Sequence, residues 1–255
     1  LVHRLQAAGL RELEVTSFVS PKWVPQMADA AEVMAAIRRC PGTVYSVLTP
    51  NLQGFERARA AGADEVAVFA SASESFSQKN INCSIDESLA RFAPLVAAAG
   101  QAAIPVRGYV SCVTDCPYEG PVAPAAVRRV VAALLAMGCH EVSLGDTIGR
   151  ATPATTAAML DAVVAAATPD RLAGHFHDTE GRSLQNIDVC LASGLRVFDA
   201  AAGGLGGCPY APGASGNVAT EAVAAHLAAR GFDTGIDAGR LAAAASFAAS
   251  LRSPR

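Results

Sequence analysis

No basic run occurs anywhere in the 255 residues, and Lys+Arg 20 against Asp+Glu 23 leave a formal net charge of −3. The electrostatic footprint that a phosphate backbone requires is therefore missing, and nucleic acid is not an expected partner. No apolar stretch approaches the ~20 residues of a membrane span before Gly, Pro or a charge interrupts it, so no membrane partner is expected either. Charged residues are sparse at 17% while hydrophobic ones reach 51%, a balance that excludes a disordered chain. Linkers, low-complexity tracts and charge blocks are also absent, and residues 1–255 read as one domain. The seven cysteines (Cys40, Cys83, Cys112, Cys116, Cys139, Cys190, Cys208) lack regular spacing and are odd in number. They point to a reduced, intracellular compartment rather than a disulfide scaffold. Cys112 and Cys116 have no second Cys/His pair to complete a set, so structural zinc is not expected.

What is present is a regular alternation. Strand-like runs at Leu13 to Phe18, Val44 to Leu48, Glu65 to Phe69, Ile104 to Ser111, Glu141 to Leu144, Ala173 to His177 and Val197 to Ala200 alternate with helical patterns. The helices are expected at Ala30 to Arg39, Asn51 to Ala61, Ile85 to Ala99, Pro124 to Met137, Pro153 to Ala167 and Ser183 to Ser193, several closed by Gly62, Gly100, Gly138 or Gly194. Strand and helix alternating at intervals of about thirty residues argue parallel βα units. The first nine residues read as the end of an amphipathic helix closed by Gly9, so a further strand is expected upstream of Leu1 and a targeting peptide is not legible in this sequence. The expected fold is α/β, a (β/α)8 TIM barrel N-terminally truncated so that the first strand is missing.

In such a barrel the C-terminal strand ends and the loops after them form the active face. The polar residues so placed are Glu14, Thr16 and Ser17; Thr49 and Asn51; Ser71 and Ser73; Arg107, Tyr109 and Ser111; Ser143, Asp146 and Thr147; His175, His177 and Asp178; and the loop after Asp199. His175-Phe176-His177-Asp178 is the sharpest local signal, because residues i and i+2 of a strand point the same way and aim both imidazoles at the interior. Two imidazoles beside a carboxylate make a half-site for a metal completed by oxygen ligands; two hydrogen-bonded core histidines are the bland alternative. The loop 203–217 after the last strand is dense in glycine and carries Cys208, as a lid closing over substrate would be, or as a flexible connector with an incidental thiol would be. Glu14, Arg107 and Asp146 sit on different strands yet can reach one cavity, either as acid/base groups or as an internal salt-bridge network.

These residues together resemble the hydroxymethylglutaryl-CoA lyase family. The resemblance is carried by the cysteine loop and by Thr16 to Met27, Lys79 to Ser84, Arg107 to Cys112, Cys116 to Gly120, Ser143 to Gly149 and His177 to Thr179, in order along nearly the whole chain. It implies an enzyme using Mg2+ or Mn2+ that splits 3-hydroxy-3-methylglutaryl-CoA into acetoacetate and acetyl-CoA, in leucine degradation and ketone-body formation. By the family pattern His175, His177 and Asn217 are metal ligands, with a fourth from an aspartate in an Arg-Asp-Gly segment that this sequence does not contain. Cys208, His175, Glu14 and Asp146 take catalytic roles, and Arg107, Tyr109, Ser143, Thr147 and Asn80 bind the acyl-CoA substrate. A homodimer is implied, cytoplasmic in a bacterium and in the mitochondrial matrix of a eukaryote.

Three departures stand out. Ala201-Ala202-Gly203 replaces the family's Ser-Val-Ala before the cysteine loop, Glu180 stands where an aromatic residue is common, and Thr114-Asp115 replaces a more apolar pair. None removes a named functional group. The rival readings are a Claisen-condensing acyltransferase or metal aldolase of the same superfamily, and a non-catalytic fragment. The His-X-His strand is common to the enzymes, whereas the cysteine loop and Ser20-Pro21-Lys22-Trp23 favour the lyase.

Overall fold

A computed structural model describes residues 1–206 and 216–251. Seven parallel strands form one sheet: β1 (Glu12–Ser17), β2 (Val44–Leu48), β3 (Glu65–Ser71), β4 (Val106–Ser111), β7 (Glu141–Asp146), β8 (Leu172–Phe176) and β9 (Val197–Asp199), in that spatial order. The two-residue strands β5 (Asp115–Cys116) and β6 (Gly120–Pro121) make a separate antiparallel hairpin after β4. Sequence order equals spatial order throughout the large sheet, as expected when each crossover is a helix on the outer face. The outer elements are α1 (Val2–Ala7), α2 (Ala30–Ala36), α3 (Leu52–Ala60), α4 (Glu74–Ile81), α5 (Ile85–Gln101), α6 (Pro124–Met137), α7 (Pro153–Val163), α8 (Ser183–Ala192), α9 (Thr220–Ala229) and α10 (Ala238–Ser250). No described helix is long and apolar enough to cross a membrane.

Local chemistry sets these boundaries. Ser84 caps α5 by accepting from the Glu87 amide while the Glu87 carboxylate accepts from the Ser84 amide, a reciprocal arrangement that satisfies two otherwise orphaned donors. α6 begins on Pro124, whose missing N–H costs nothing in a first turn, and ends at Gly138 with φ 122°. The Asn51 and Ser73 side chains likewise cap α3 and α4. Alternate strand residues then face outward into an apolar layer: Val66, Val68, Val106, Val110, Val142, Leu144 and Phe176 are buried with Phe55, Phe92, Leu95, Leu134 and Leu160 of the helices. Each such side chain removed from water contributes roughly 1.5–3 kcal/mol, and this layer holds the sheet curled.

The alternate positions face inward, and many of them are polar. Glu12 and Glu14 of β1, Arg107 and Tyr109 of β4, His175 of β8 and Asp199 of β9 all line one cavity of about 810 Å3. β1 and β9 are the two edges of the sheet, yet both line this same space. The structure is thus a curled seven-stranded sheet open between β1 and β9, in agreement with the truncated-barrel expectation.

Candidate active site

Parallel register assembles the interior charges. Arg107 of β4 stands opposite Glu141 of β7, and His175 of β8 opposite Asp199 of β9. Arg107 Nε donates to Glu141 Oε1 at 2.6 Å and Nη1 to the Tyr109 hydroxyl at 2.7 Å, and Tyr109 donates in turn to Glu14 Oε2 at 2.9 Å. Arg107 Nη2 lies 2.9 Å from Asp199 Oδ1, an ion pair whose alignment falls short of a hydrogen bond. Two of the three guanidinium nitrogens thus donate to protein and the third pairs with Asp199, and burial, which opposes the charge, is outweighed by Asp199, Tyr109 and Glu141. An arginine so engaged orients its neighbours.

Glu14 is enclosed by the barrel but open to the cavity's solvent. The surrounding protein raises its carboxyl above the ordinary range, against the hydrogen bond from Tyr109. A carboxyl of that kind can hold and release a proton nearer neutral pH than a surface glutamate. Asp199 moves the other way: burial works against its ionisation, but Arg107 and the contacts from His175 and Ser143 prevail and hold it at about 2. Two carboxyl groups of one cavity are thus driven apart, one toward the protonated form and one kept ionised.

The two histidine rings of the His-X-His segment lie with centroids 5.6 Å apart. His175 lines the cavity, edge-on to Tyr109 at 6.0 Å, and its Nδ1 is 3.2 Å from Asp199 Oδ2. His177 sits just past β8 and forms an isolated antiparallel bridge with Asn217, which brings the third expected ligand alongside the pair. Burial, reinforced by the nearby His175, depresses His177 to about 4, so its ring is neutral at pH 7, and its buried Nδ1 has no protein partner. Two imidazoles with an adjacent amide oxygen fit a divalent cation in donor type, and an orphaned buried nitrogen is what a cation would satisfy. Asn217 Nδ2 donates to the Leu205 carbonyl at 3.0 Å, which, among the described residues, leaves its Oδ1 available to a cation. Among the described residues no three His, Cys, Asp or Glu side chains form a complete metal cluster.

The remaining expected site residues make the following contacts. Ser143 donates to Asp199 Oδ2 at 2.7 Å. Asp146 is buried, its two oxygens accept from the Arg150 and Ala151 amides at 3.1 and 3.0 Å, and burial lifts it to about 6 despite those bonds. Thr147 accepts from the Cys112 amide at 2.8 Å, fixing Cys112 at φ 59°. Asn80 lies in the last turn of α4, away from the residues lining the cavity. Cys208 lies outside the described residues. Beneath these loops Gly149 adopts φ 66°, and a Cβ there would meet the Thr179 amide at 2.7 Å and the His177 carbonyl at 2.9 Å. The β7 and β8 loops can close on each other only because this position has no side chain.

Asp199 and Glu141 were not singled out as site residues by sequence alone. The signal for Asp199 was present as a carboxylate ending the last strand, but its partner is chosen by register. The same holds for Glu141 at the start of β7, which register places beside Arg107.

Comparison with known proteins agrees with this geometry. The HMGL-like family model matches residues 1–248. The mitochondrial hydroxymethylglutaryl-CoA lyase of Arabidopsis thaliana is 57% identical over 97% of this chain, which spans 53% of that protein, about half its length. The 3-hydroxy-3-isohexenylglutaryl-CoA/hydroxy-methylglutaryl-CoA lyase of Pseudomonas aeruginosa is 57% identical over 93% of this chain and 79% of its own length. The crystal structure of the HMG-CoA lyase from Brucella melitensis superimposes with a TM-score of 0.96 at 60% identity, covering 98% of this chain and 89% of the other. From the strand order, the inward-facing residues and these matches together, the chain belongs to the HMGL-like family.

Proposed function

We propose that the protein cleaves 3-hydroxy-3-methylglutaryl-CoA to acetoacetate and acetyl-CoA with the help of Mg2+ or Mn2+. The observation that carries this reading is the meeting of His175, Glu14 and Asn217 in one cavity of a chain matched by the HMGL-like family over residues 1–248. Divalent-metal dependence is general in that family. His175, His177 and Asn217 would hold the cation, which when bound polarises the substrate's hydroxyl and carboxylate oxygens and lowers the cost of the alkoxide.

The reaction is a retro-Claisen cleavage. A base takes the proton of the C3 hydroxyl, the C3–O bond becomes a carbonyl as the C2–C3 bond breaks, and the electron pair moves onto the thioester α-carbon. That enolate takes up one proton and leaves as acetyl-CoA; the carbonyl fragment is acetoacetate. Glu14 exchanges protons at Oε2 in this proposal, where Tyr109 orients it and the enclosing protein raises its affinity for a proton. Arg107 keeps Tyr109 in place through Nη1. Cys208 supplies a thiol proton to the enolate, in keeping with the role its family resemblance implies. Asp146 holds the β7 loop through the Arg150 and Ala151 amides, and Tyr109, held by Arg107, lines the substrate space. An acyl-CoA substrate, a homodimer and an intracellular setting complete the proposal.

The test is direct. The purified protein, supplied with Mg2+ and 3-hydroxy-3-methylglutaryl-CoA, releases acetoacetate and acetyl-CoA in equal amounts. Free coenzyme A without acetoacetate would make it a thioesterase and overturn the reading.

A further inference from the structure

Asp199 is held on every side that matters. Its Oδ2 accepts from the Ser143 hydroxyl at 2.7 Å and meets His175 Nδ1 at 3.2 Å, while its Oδ1 faces Arg107 Nη2 at 2.9 Å. Arg107 is itself fixed from behind by Glu141 at 2.6 Å and Tyr109 at 2.7 Å. The carboxylate can neither rotate nor withdraw without breaking several of these contacts, and a carboxylate paired with a guanidinium is an acceptor only. The ring nitrogen of a neutral His175 that faces it must carry the hydrogen. The lone pair is thereby assigned to the opposite nitrogen, Nε2, which is free of any described protein partner and belongs to a ring lining the cavity. His177, by contrast, has a buried Nδ1 with no partner, so only one of the two rings is oriented by a carboxylate.

We infer that Asp199 is a positioning residue: together with Ser143 and Arg107 it locks His175 in the Nδ1–H tautomer and turns the Nε2 lone pair toward the cation site. The inference rests on the metal reading proposed above. It names a chain of contacts from Glu141 at the floor of the barrel through Arg107 and Asp199 to His175. Outer-shell partners of this type set the ring angle and basicity of a ligating histidine, and disturbing them costs ~10–100-fold in metal affinity.

The experiment compares wild type with Asp199→Ala, Asp199→Asn and Ser143→Ala by two readouts: Mn2+ affinity from titration calorimetry, and the His175 tautomer from 15N shifts of the imidazole in metal-free protein at a pH where the ring is neutral. In Asp199→Ala the affinity falls ~10–100-fold and the Nε2–H tautomer gains population. Asp199→Asn, whose amide oxygen can still accept from Nδ1–H, keeps more of both than Asp199→Ala does. Ser143→Ala falls in the same direction by a smaller factor, and with Asp199→Asn it decides the matter if Asp199→Ala does not fold. A merely structural Asp199 would lower the melting temperature and leave both readouts alone. Affinities within about twofold of wild type, against the outer-shell expectation, together with unchanged 15N shifts would overturn the inference. A wild-type protein that takes up no Mn2+ would instead sink the metal reading, while the metal-free tautomer still decides the role of Asp199.

Discussion

Replacing Arg107 with Met tests the internal charge network most severely, because it removes a buried cation and leaves its shape largely intact. Arg107 and Glu141 are each 8% exposed and Asp199 is partly buried, so two carboxylates lose their counterion inside the barrel. Breaking a buried pair from one side costs about 3–5 kcal/mol. At roughly 2–4 °C per kcal/mol for a domain of this size, the melting temperature should fall by about 6–20 °C. The pH dependence has a definite sign. In the wild type the Asp199 carboxyl is held at about 2, so its contribution is present above the unfolded value near 3.9 and is lost only as pH falls through about 2. Without Arg107 only the His175 and Ser143 contacts oppose burial, and that carboxyl is expected to rise above its unfolded value. The variant's folded state then binds protons before its unfolded state does, and the variant recovers stability as pH falls from 7 toward 4. Thermal melts in metal-free buffer at matched pH values should show the gap between the two proteins narrowing on acidification. A loss below about 1 kcal/mol, the scale of a surface pair, or a gap that widens with acid, would refute the reasoning. Replacing Glu141 with Met in the same background should return part of the loss, because an apolar pair of similar volume needs no counterion.

Three further outcomes are expected. Cys208→Ala should fold and bind Mn2+ and acyl-CoA like the wild type while losing most of kcat with little change in KM, the pattern of an interaction made in the transition state; steady-state kinetics near the wild-type kcat would reduce the thiol to a connector. Gly149→Ala should destabilise the protein by about 1–3 kcal/mol, since its Cβ would have to displace Thr179 and the left-handed backbone is strained for alanine; an unchanged denaturation midpoint would contradict the close approach of the two loops. His140 has its pKa raised, chiefly by the 2.7 Å contact with Glu65 Oε2, so its stabilising effect is full below about 6.5 and lost as pH rises through the higher folded value. An NMR titration should show the His140 midpoint dropping in Glu65→Gln, and an unmoved midpoint would dismiss the contact.

The strands were legible because parallel strands covered by helices are short apolar runs bounded by glycine and charge. Val44–Leu48 and the helix Pro124–Met137 appear at the residues expected. Boundaries moved where tertiary contacts intervene. The helix expected through Arg39 stops at Ala36, with Ile37 extended, because the Arg38 amide turns to His3 Nε2 and the Cys40 amide to the Tyr45 hydroxyl. Strand β8 ends at Phe176 rather than His177 because His177 pairs with Asn217 across the loop. The helix Glu74–Ile81 and the small hairpin Asp115–Cys116 with Gly120–Pro121 went unread, one because eight residues carry too little periodicity and the other because a two-residue strand carries none. At the site, residue types and strand ends pointed to Glu14, Arg107, Tyr109 and His175 as neighbours of one cavity. What they could not convey was register. Whether Arg107 meets substrate or Glu141, and whether His175 meets Asp199, depends on which residues of adjacent strands lie side by side.

The central claim is that carbon–carbon cleavage here passes through a thioester enolate that takes its proton inside the site. It is tested most directly by running the reaction of 3-hydroxy-3-methylglutaryl-CoA in D2O with Mg2+ and examining the acetyl-CoA by mass spectrometry. The account predicts one solvent-derived deuterium in the acetyl methyl group of each product molecule, with acetoacetate formed in equal amount. Coenzyme A released without acetoacetate, or acetyl-CoA carrying no deuterium at its methyl group, would contradict it.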